Sequence, residues 1–146
     1  MTEKQSKLIY LDSSAYLALL LGDGRAKSIQ KTLKGHKVCS STLMLIEVER
    51  NLIRLSREGH IKSEDYAELM AKFKSDIELF IMRDVTADLA LNTVFPVVRI
   101  PRSSDLTHLR TAHWFQKNES LNLFLTCDQA QSQAAEEIGL PILCVS

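Results

Sequence analysis

The chain has 146 residues, 45% of them hydrophobic and 25% charged, and its 18 basic and 18 acidic side chains cancel. That length accommodates one domain, residues 1–146, with a core that needs no staples, and the composition excludes a disordered chain. A neutral total argues against a protein that coats nucleic acid by bulk positive charge, yet it allows an enzyme whose acidic pocket offsets a basic rim.

Three cysteines, Cys39, Cys127 and Cys144, form no CxxC pair, and the four histidines stand at no spacing that completes a zinc site with them. Free thiols in apolar runs suit a reducing compartment, so a cytoplasmic location is expected. The polar stretch Met1 to Lys7 holds no signal-peptide core, and no eighteen apolar residues occur together, so no membrane association is expected.

Leu8-Ile9-Tyr10-Leu11 reads as a short buried strand that gives way to Asp12. Ser13 to Leu21 reads as a helix ended by Gly22-Asp23-Gly24, and Ala26, Ile29 and Leu33 recur at helical spacing before Gly35. Val38-Cys39-Ser40 is a minimal second strand. A long helix is expected from Thr42 to about Arg57, with Leu45, Val48, Leu52 and Leu55 on one stripe and Glu47 in its first turns. Ser63 with Glu64 and Asp65 reads as a cap and first turn, and Tyr66, Leu69, Met70, Phe73, Ile77 and Phe80 continue at spacings of three and four.

Leu79 to Met82 and Val97 to Ile100 compete for the third strand, with a short helix between them from Ala87 to Val94. Ser103 or Ser104 is expected to cap a helix that carries Asp105, His108 and His113 to about Lys117. Leu123 to Thr126 is a fourth strand, Gln129 to Ile138 a helix, and Ile142 to Val145 a last strand after Gly139-Leu140-Pro141. Strands alternating with helices at this rhythm predict an α/β fold, a parallel sheet covered on both faces.

Four acids then stand near strand ends: Asp12, Glu47, Asp105 and Asp128. Each Asp alone is explained as a helix N-cap, and Glu47 as a surface partner of Arg50 or Arg54. Together they call for a different explanation, because two carboxylates about 5 Å apart repel by roughly 3 kcal/mol at an effective dielectric near 20. A divalent cation compensates, and oxygen-only ligation suits Mg²⁺ or Mn²⁺, with Ser13 and Thr126 placed to hydrogen-bond the carboxylates. Such a centre can direct water at a phosphodiester.

The acids and their contexts resemble the four acidic motifs of PIN-domain ribonucleases: Asp12-Ser13-Ser14-Ala15, Glu47 within Ser41 to Arg50, Asp105 to Ala112, and Thr126-Cys127-Asp128. The likeness runs from Leu8 to Val145 and is nearest to the VapC-type toxins of toxin–antitoxin systems. The resemblance implies a three-layer α/β/α sandwich, an RNA endonuclease with Asp12, Glu47, Asp105 and Asp128 as metal-binding catalytic residues, a homodimer, and inhibition by a cognate antitoxin. The sequence departs from the pattern after the fourth motif, where Gln129-Ala130-Gln131 stands in place of the further acid or Asn of many relatives. His108 is expected to pack, Trp114 to cover the sheet or a dimer contact, and Arg50, Arg54, Arg99, Arg102 and Arg110 are candidates to grip RNA phosphates, Arg50 and Arg102 foremost. The rival readings are an RNA-processing nuclease without antitoxin and a PIN-fold binding module without catalysis.

Overall fold

A computed structural model describes residues 7–146; the polar lead that precedes them lies outside the described residues. Five strands, β1 (Leu8–Leu11), β2 (Lys37–Ser41), β3 (Ile81–Arg83), β4 (Leu123–Thr126) and β5 (Ile142–Cys144), form one parallel sheet in the order β3-β2-β1-β4-β5. Seven helices connect and cover them: α1 (Ser13–Leu21), α2 (Ala26–Leu33), α3 (Leu43–Arg57), α4 (Ser63–Glu78), α5 (Ala87–Leu91), α6 (Ser103–Glu119) and α7 (Gln129–Glu137).

Alternation along β1 divides the core in two. Ile9 and Leu11 point to one face, where α1 to α4 pack through Tyr16, Ile29, Met44, Val48, Leu52 and Phe73. Leu8 and Tyr10 point to the other, where Leu109, Ala112 and Phe115 of α6 and Ala134 and Ala135 of α7 close over Phe124. The expected three-layer α/β/α sandwich is therefore the observed one. Every residue of β1 is buried, as a central parallel strand requires. Tyr16 of α1 donates to Asp76 of α4 at 2.6 Å, which ties the long α3–α4 hairpin to the body.

Three local expectations are corrected. The third strand is Ile81–Arg83, whereas Val97 to Ile100 is an irregular approach to α6 that pairs with no strand. The short helix stops at Leu91, before Val94, because its last turn is followed by exposed, irregular backbone. The caps fall one residue early: Lys62 and Arg102 hold the extended N-cap conformation, so Ser63 and Ser103 are already helical and Ser104 lies inside the turn.

Candidate metal centre and active site

From β1 the sheet grows one way to β2 and β3 and the other way to β4 and β5. The crevice beyond the carboxyl ends of β1 and β4 is thus the topological switch point, where open α/β sheets hold their ligands. Asp12 follows β1 directly and Asp128 stands just beyond β4. Asp12 is 4% exposed; its Oδ1 accepts from the Ala15 backbone at 3.0 Å and from Ser14 Oγ at 2.7 Å, and its Oδ2 accepts from Thr126 Oγ1. Asp128 caps α7, accepting from the Ala130 and Gln131 backbones at 2.9 and 3.3 Å, while its own N–H donates to Thr126 Oγ1 at 3.0 Å. Thr126 therefore links the two acids.

Asp105 lies third in α6 and caps nothing, so the structural explanation that serves the other two aspartates fails for it. Gln131 of α7 reaches its backbone carbonyl through Nε2 at 3.0 Å, which locks the first turns of α6 and α7 together. Burial raises the Asp105 carboxyl, and the charges of Asp128 and Asp12 push the same way against Arg102 and His108. Burial likewise raises Asp12, against the lowering effects of His108, Thr126, Ser14 and the Ala15 N–H. Asp105 thus feels the charges of both other aspartates, and neither Asp105 nor Asp12 is fully compensated by protein groups.

Glu47 is positioned differently. Its Oε1 accepts from Ser13 Oγ at 2.6 Å and from His108 Nε2 at 2.6 Å, and His108 Nδ1 lies 2.7 Å from the Tyr10 hydroxyl. Ser13 Oγ also stands 3.1 Å from His108 Nε2. A carboxylate only accepts, so Nε2 carries the proton and Nδ1 can take the phenol O–H. Burial pushes the Glu47 carboxyl up, but the hydrogen bond and charge of His108, the Ser13 hydroxyl and the charge of Arg50 outweigh it, and the net displacement is downward. Burial holds Tyr10 well above the usual phenol range, so it stays protonated.

His108 is the residue that sequence reasoning undervalued. It is 3% exposed and does pack, but through polar bonds that join β1, α1 and α3, and a second proton on its ring would favour the ionised forms of Asp12, Glu47 and Asp105 alike. The available signal was its place one turn after Asp105. Ser14, which bonds Asp12 and accepts from the Cys127 backbone at 2.9 Å, was also missed. Of the expected phosphate ligands, Arg50 and Arg102 are exposed beside the acids and act on them through their charge. Arg54 instead pairs with Glu58 at 3.2 Å, and Arg110 is occupied by Phe95 and the Leu89 and Thr93 carbonyls. Trp114 meets Phe115 edge-on and lies under the Arg83 guanidinium, 4.8 Å away. The three thiols are free; burial raises Cys39 and pushes Cys127 up to about 11, so neither is primed as a nucleophile.

Among the described residues no three His, Cys, Asp or Glu side chains stand close enough together to hold an ion between them. Mg²⁺ does not require such a cluster, since it keeps several waters and binds through one or two carboxylates. The donor set fits such an ion on two observations. Asp12 is raised by burial, and Asp105 by burial and by the charges of Asp128 and Asp12, which a cation would relieve. Beside them, Gln131 is 2% exposed and its Oε1 has no partner, an acceptor that a coordinated water could satisfy.

Solved structures that share the fold include the following three. The VapBC2 complex of Rickettsia felis, bound to a promoter DNA fragment, superposes with a TM-score of 0.58 at 11% identity, covering 95% of this chain and 99% of that one. PAE2754 from Pyrobaculum aerophilum gives 0.57 at 14% identity, covering 95% and 86%. A domain of a functionally unknown Methanocaldococcus jannaschii protein gives 0.55 at 14% identity, covering 97% and 92%. No curated protein sequence matches. The PIN domain family matches over residues 9–137, a span that holds every acid of the switch-point crevice, and the chain therefore belongs to the PIN domain family, whose members are generally nucleases.

Proposed function

We propose that the protein is a metal-dependent RNA endonuclease and the toxin of a toxin–antitoxin pair, with Asp12, Glu47, Asp105 and Asp128 as its catalytic, metal-binding acids. The observation that carries the reading is the pair of raised carboxyls, Asp12 and Asp105, at the switch point, with the charge of Asp128 acting on Asp105. A bound Mg²⁺ or Mn²⁺ supplies charge neutralisation at the phosphodiester and makes water a better nucleophile. The protein's own part is positioning. Ser14, Thr126 and the α1 amides fix both oxygens of Asp12, and Thr126 and the α7 amides hold Asp128. Ser13 and His108 hold Glu47 so that one oxygen is fixed and the other is left for the crevice. Arg50 and Arg102 flank the acids as cations for the backbone of a single strand.

The antitoxin half of the proposal rests on the fold shared with VapBC2 of Rickettsia felis. Its partner would cover the α3–α4 hairpin, where Ile46 and Ile53 expose apolar surface, and would place a cation among the acids. A homodimer acting in the cytoplasm completes the reading. The test is cleavage of total cellular RNA by purified protein with Mg²⁺, with Mn²⁺ and with chelator, beside Asp105→Asn. Discrete fragments that need metal and vanish in the variant support the nuclease. Intact RNA with every metal, from folded and antitoxin-free protein, rejects it in favour of a binding module. Cleavage that no co-encoded protein inhibits would point to an RNA-processing nuclease without antitoxin.

A further inference from the structure

A groove of about 570 Å³ opens beside the acids, between the irregular segment that leads into α6 and one face of α7. Its floor is apolar and small, made by Pro101, Ala130 and Ala134, and its edges carry Arg99, Gln133 and Glu137. The two walls are the chain just before Arg102 and Asp105 and the helix just after Asp128, so the groove is lined by residues adjacent in sequence to two of the proposed metal-binding acids, though none of the acids lines it. Positions 130, 133, 134 and 137 share one helical face, and at 1.5 Å per residue the groove runs about 10 Å away from Asp128. Its volume falls in the range of small-molecule sites, about 300–1,000 Å³. Among the described residues Arg99, Gln133 and Glu137 carry no side-chain hydrogen bond or ion pair, although all three are exposed at the rim. An apolar lining that also carries one guanidinium, one amide and one carboxylate is the chemistry that takes an unstacked base by its face and reads its edges.

We propose that this groove is a base-specificity pocket for the nucleotide flanking the scissile phosphate, and that its preferred base is guanine. Guanine presents two acceptors, O6 and N7, to a guanidinium, which is the Arg99 edge, and an amino donor to a carboxylate, which is the Glu137 edge. Gln133, between them, can donate or accept. The proposal rests on the nuclease reading above and concerns which bond is cut rather than how. It also accounts for the position of Glu137, an acid that would otherwise oppose a polyanion at the groove's far end.

The experiment is cleavage of a randomised single-stranded RNA pool with Mn²⁺, the cut ends being sequenced, by the wild type, Arg99→Ala, Glu137→Gln and Ala130→Tyr. Mn²⁺ binding is followed separately by electron paramagnetic resonance. The expected result is guanine enrichment at one position beside the cut, reduced about tenfold in Arg99→Ala and Glu137→Gln, the size of one lost base-edge contact. Ala130→Tyr, which fills the floor, abolishes the enrichment, and all variants bind Mn²⁺ as the wild type does. A base preference that survives all three substitutions overturns the pocket and leaves the nuclease standing. Enrichment of another base overturns the guanine assignment. Failure of the wild type to cut any member of the pool while it binds Mn²⁺ overturns the nuclease reading and the pocket with it.

Discussion

Replacing His108 with Leu removes a buried polar link while keeping most of its volume, and the structure fixes what that does. The substitution takes from the Tyr10 hydroxyl, which is 0% exposed and lies 2.7 Å from Nδ1, its closest partner, and leaves it only the Ser40 and Thr111 hydroxyls, the former already bonded to the Leu11 carbonyl and the latter to that of Thr107. An orphaned buried hydroxyl costs about 1–3 kcal/mol. The 2.6 Å bond to Glu47 is lost as well, but the Glu47 side chain is 22% exposed and keeps Ser13, so that loss is about 1 kcal/mol. The total is about 3 kcal/mol, a fall in Tm of about 6–12 °C for a domain of this size. Tyr10→Phe costs about 1–2 kcal/mol in the wild type, where it strands Nδ1, but in the His108→Leu background it removes the orphan and restores about the same amount. Urea denaturation of the four proteins measures the cycle, with an unchanged slope confirming that stability alone has moved. If Tyr10→Phe destabilises both backgrounds equally, the two groups are not coupled and the reasoning is refuted.

Asp105→Asn, which loses no hydrogen bond of its side chain and relieves repulsion from Asp128 and Asp12, is expected to raise the Tm of metal-free protein by a few degrees. It should also remove most of the Mn²⁺-induced rise in the wild type, which at a hundredfold excess over Kd is about 2.7 kcal/mol; a variant that melts lower without metal contradicts this. Asp12 and Asp105 have folded pKa values above their unfolded ones, so the native state binds more protons across that interval, and metal-free stability falls as pH rises through it. Glu47 has the opposite sign: its contribution is present above the unfolded value and is lost as pH falls through the lowered folded one. Thermal melts between pH 3 and pH 8 should therefore show a metal-free maximum on the acid side that saturating Mg²⁺ moves toward neutrality, and curves that coincide with and without Mg²⁺ argue against the centre. Tyr16→Phe, which deletes the 2.6 Å bond to Asp76, should cost about 1–2 kcal/mol in urea denaturation and increase proteolysis within α4, whereas uniform cleavage along the chain would place the effect elsewhere.

The sheet and both faces of the sandwich were legible because strand runs of four apolar residues and helices of three-four spacing obey local rules. The ends were less so. Whether Ile81–Arg83 or Val97 to Ile100 joins the sheet depends on which one reaches Cys39, Ser40 and Ser41 across the β2 edge, a contact that no local pattern encodes. Asp12 and Asp128 stand out by their place directly after strands and are at once helix caps and charged groups, so capping and a metal role are not alternatives, whereas Asp105 follows an irregular segment and Glu47 lies inside a helix. What the spacing could not give was partnership. Glu47 shares two hydrogen bonds with Ser13 and His108, residues 34 and 61 positions away, and a histidine at an apolar helical position gives no sign of whether its ring nitrogens are bonded. The groove beside α7 was invisible for the same reason: one wall has no periodicity at all.

The middle strand of the sheet is the first to be made. β1 can pair with β2 after some thirty more residues, but its other edge waits for β4, whose partner residues 123–125 lie more than a hundred positions downstream. Until then Asp12 lacks Thr126, and the crevice lacks Asp128 and its α7 wall. A nascent chain emerging from its ribosome therefore carries three of the acids with no completed site to hold them. On the proposed function, the full set of acids comes together only once β4 and α7 have been made, so the order of the chain delays the site until the sheet has both neighbours of β1.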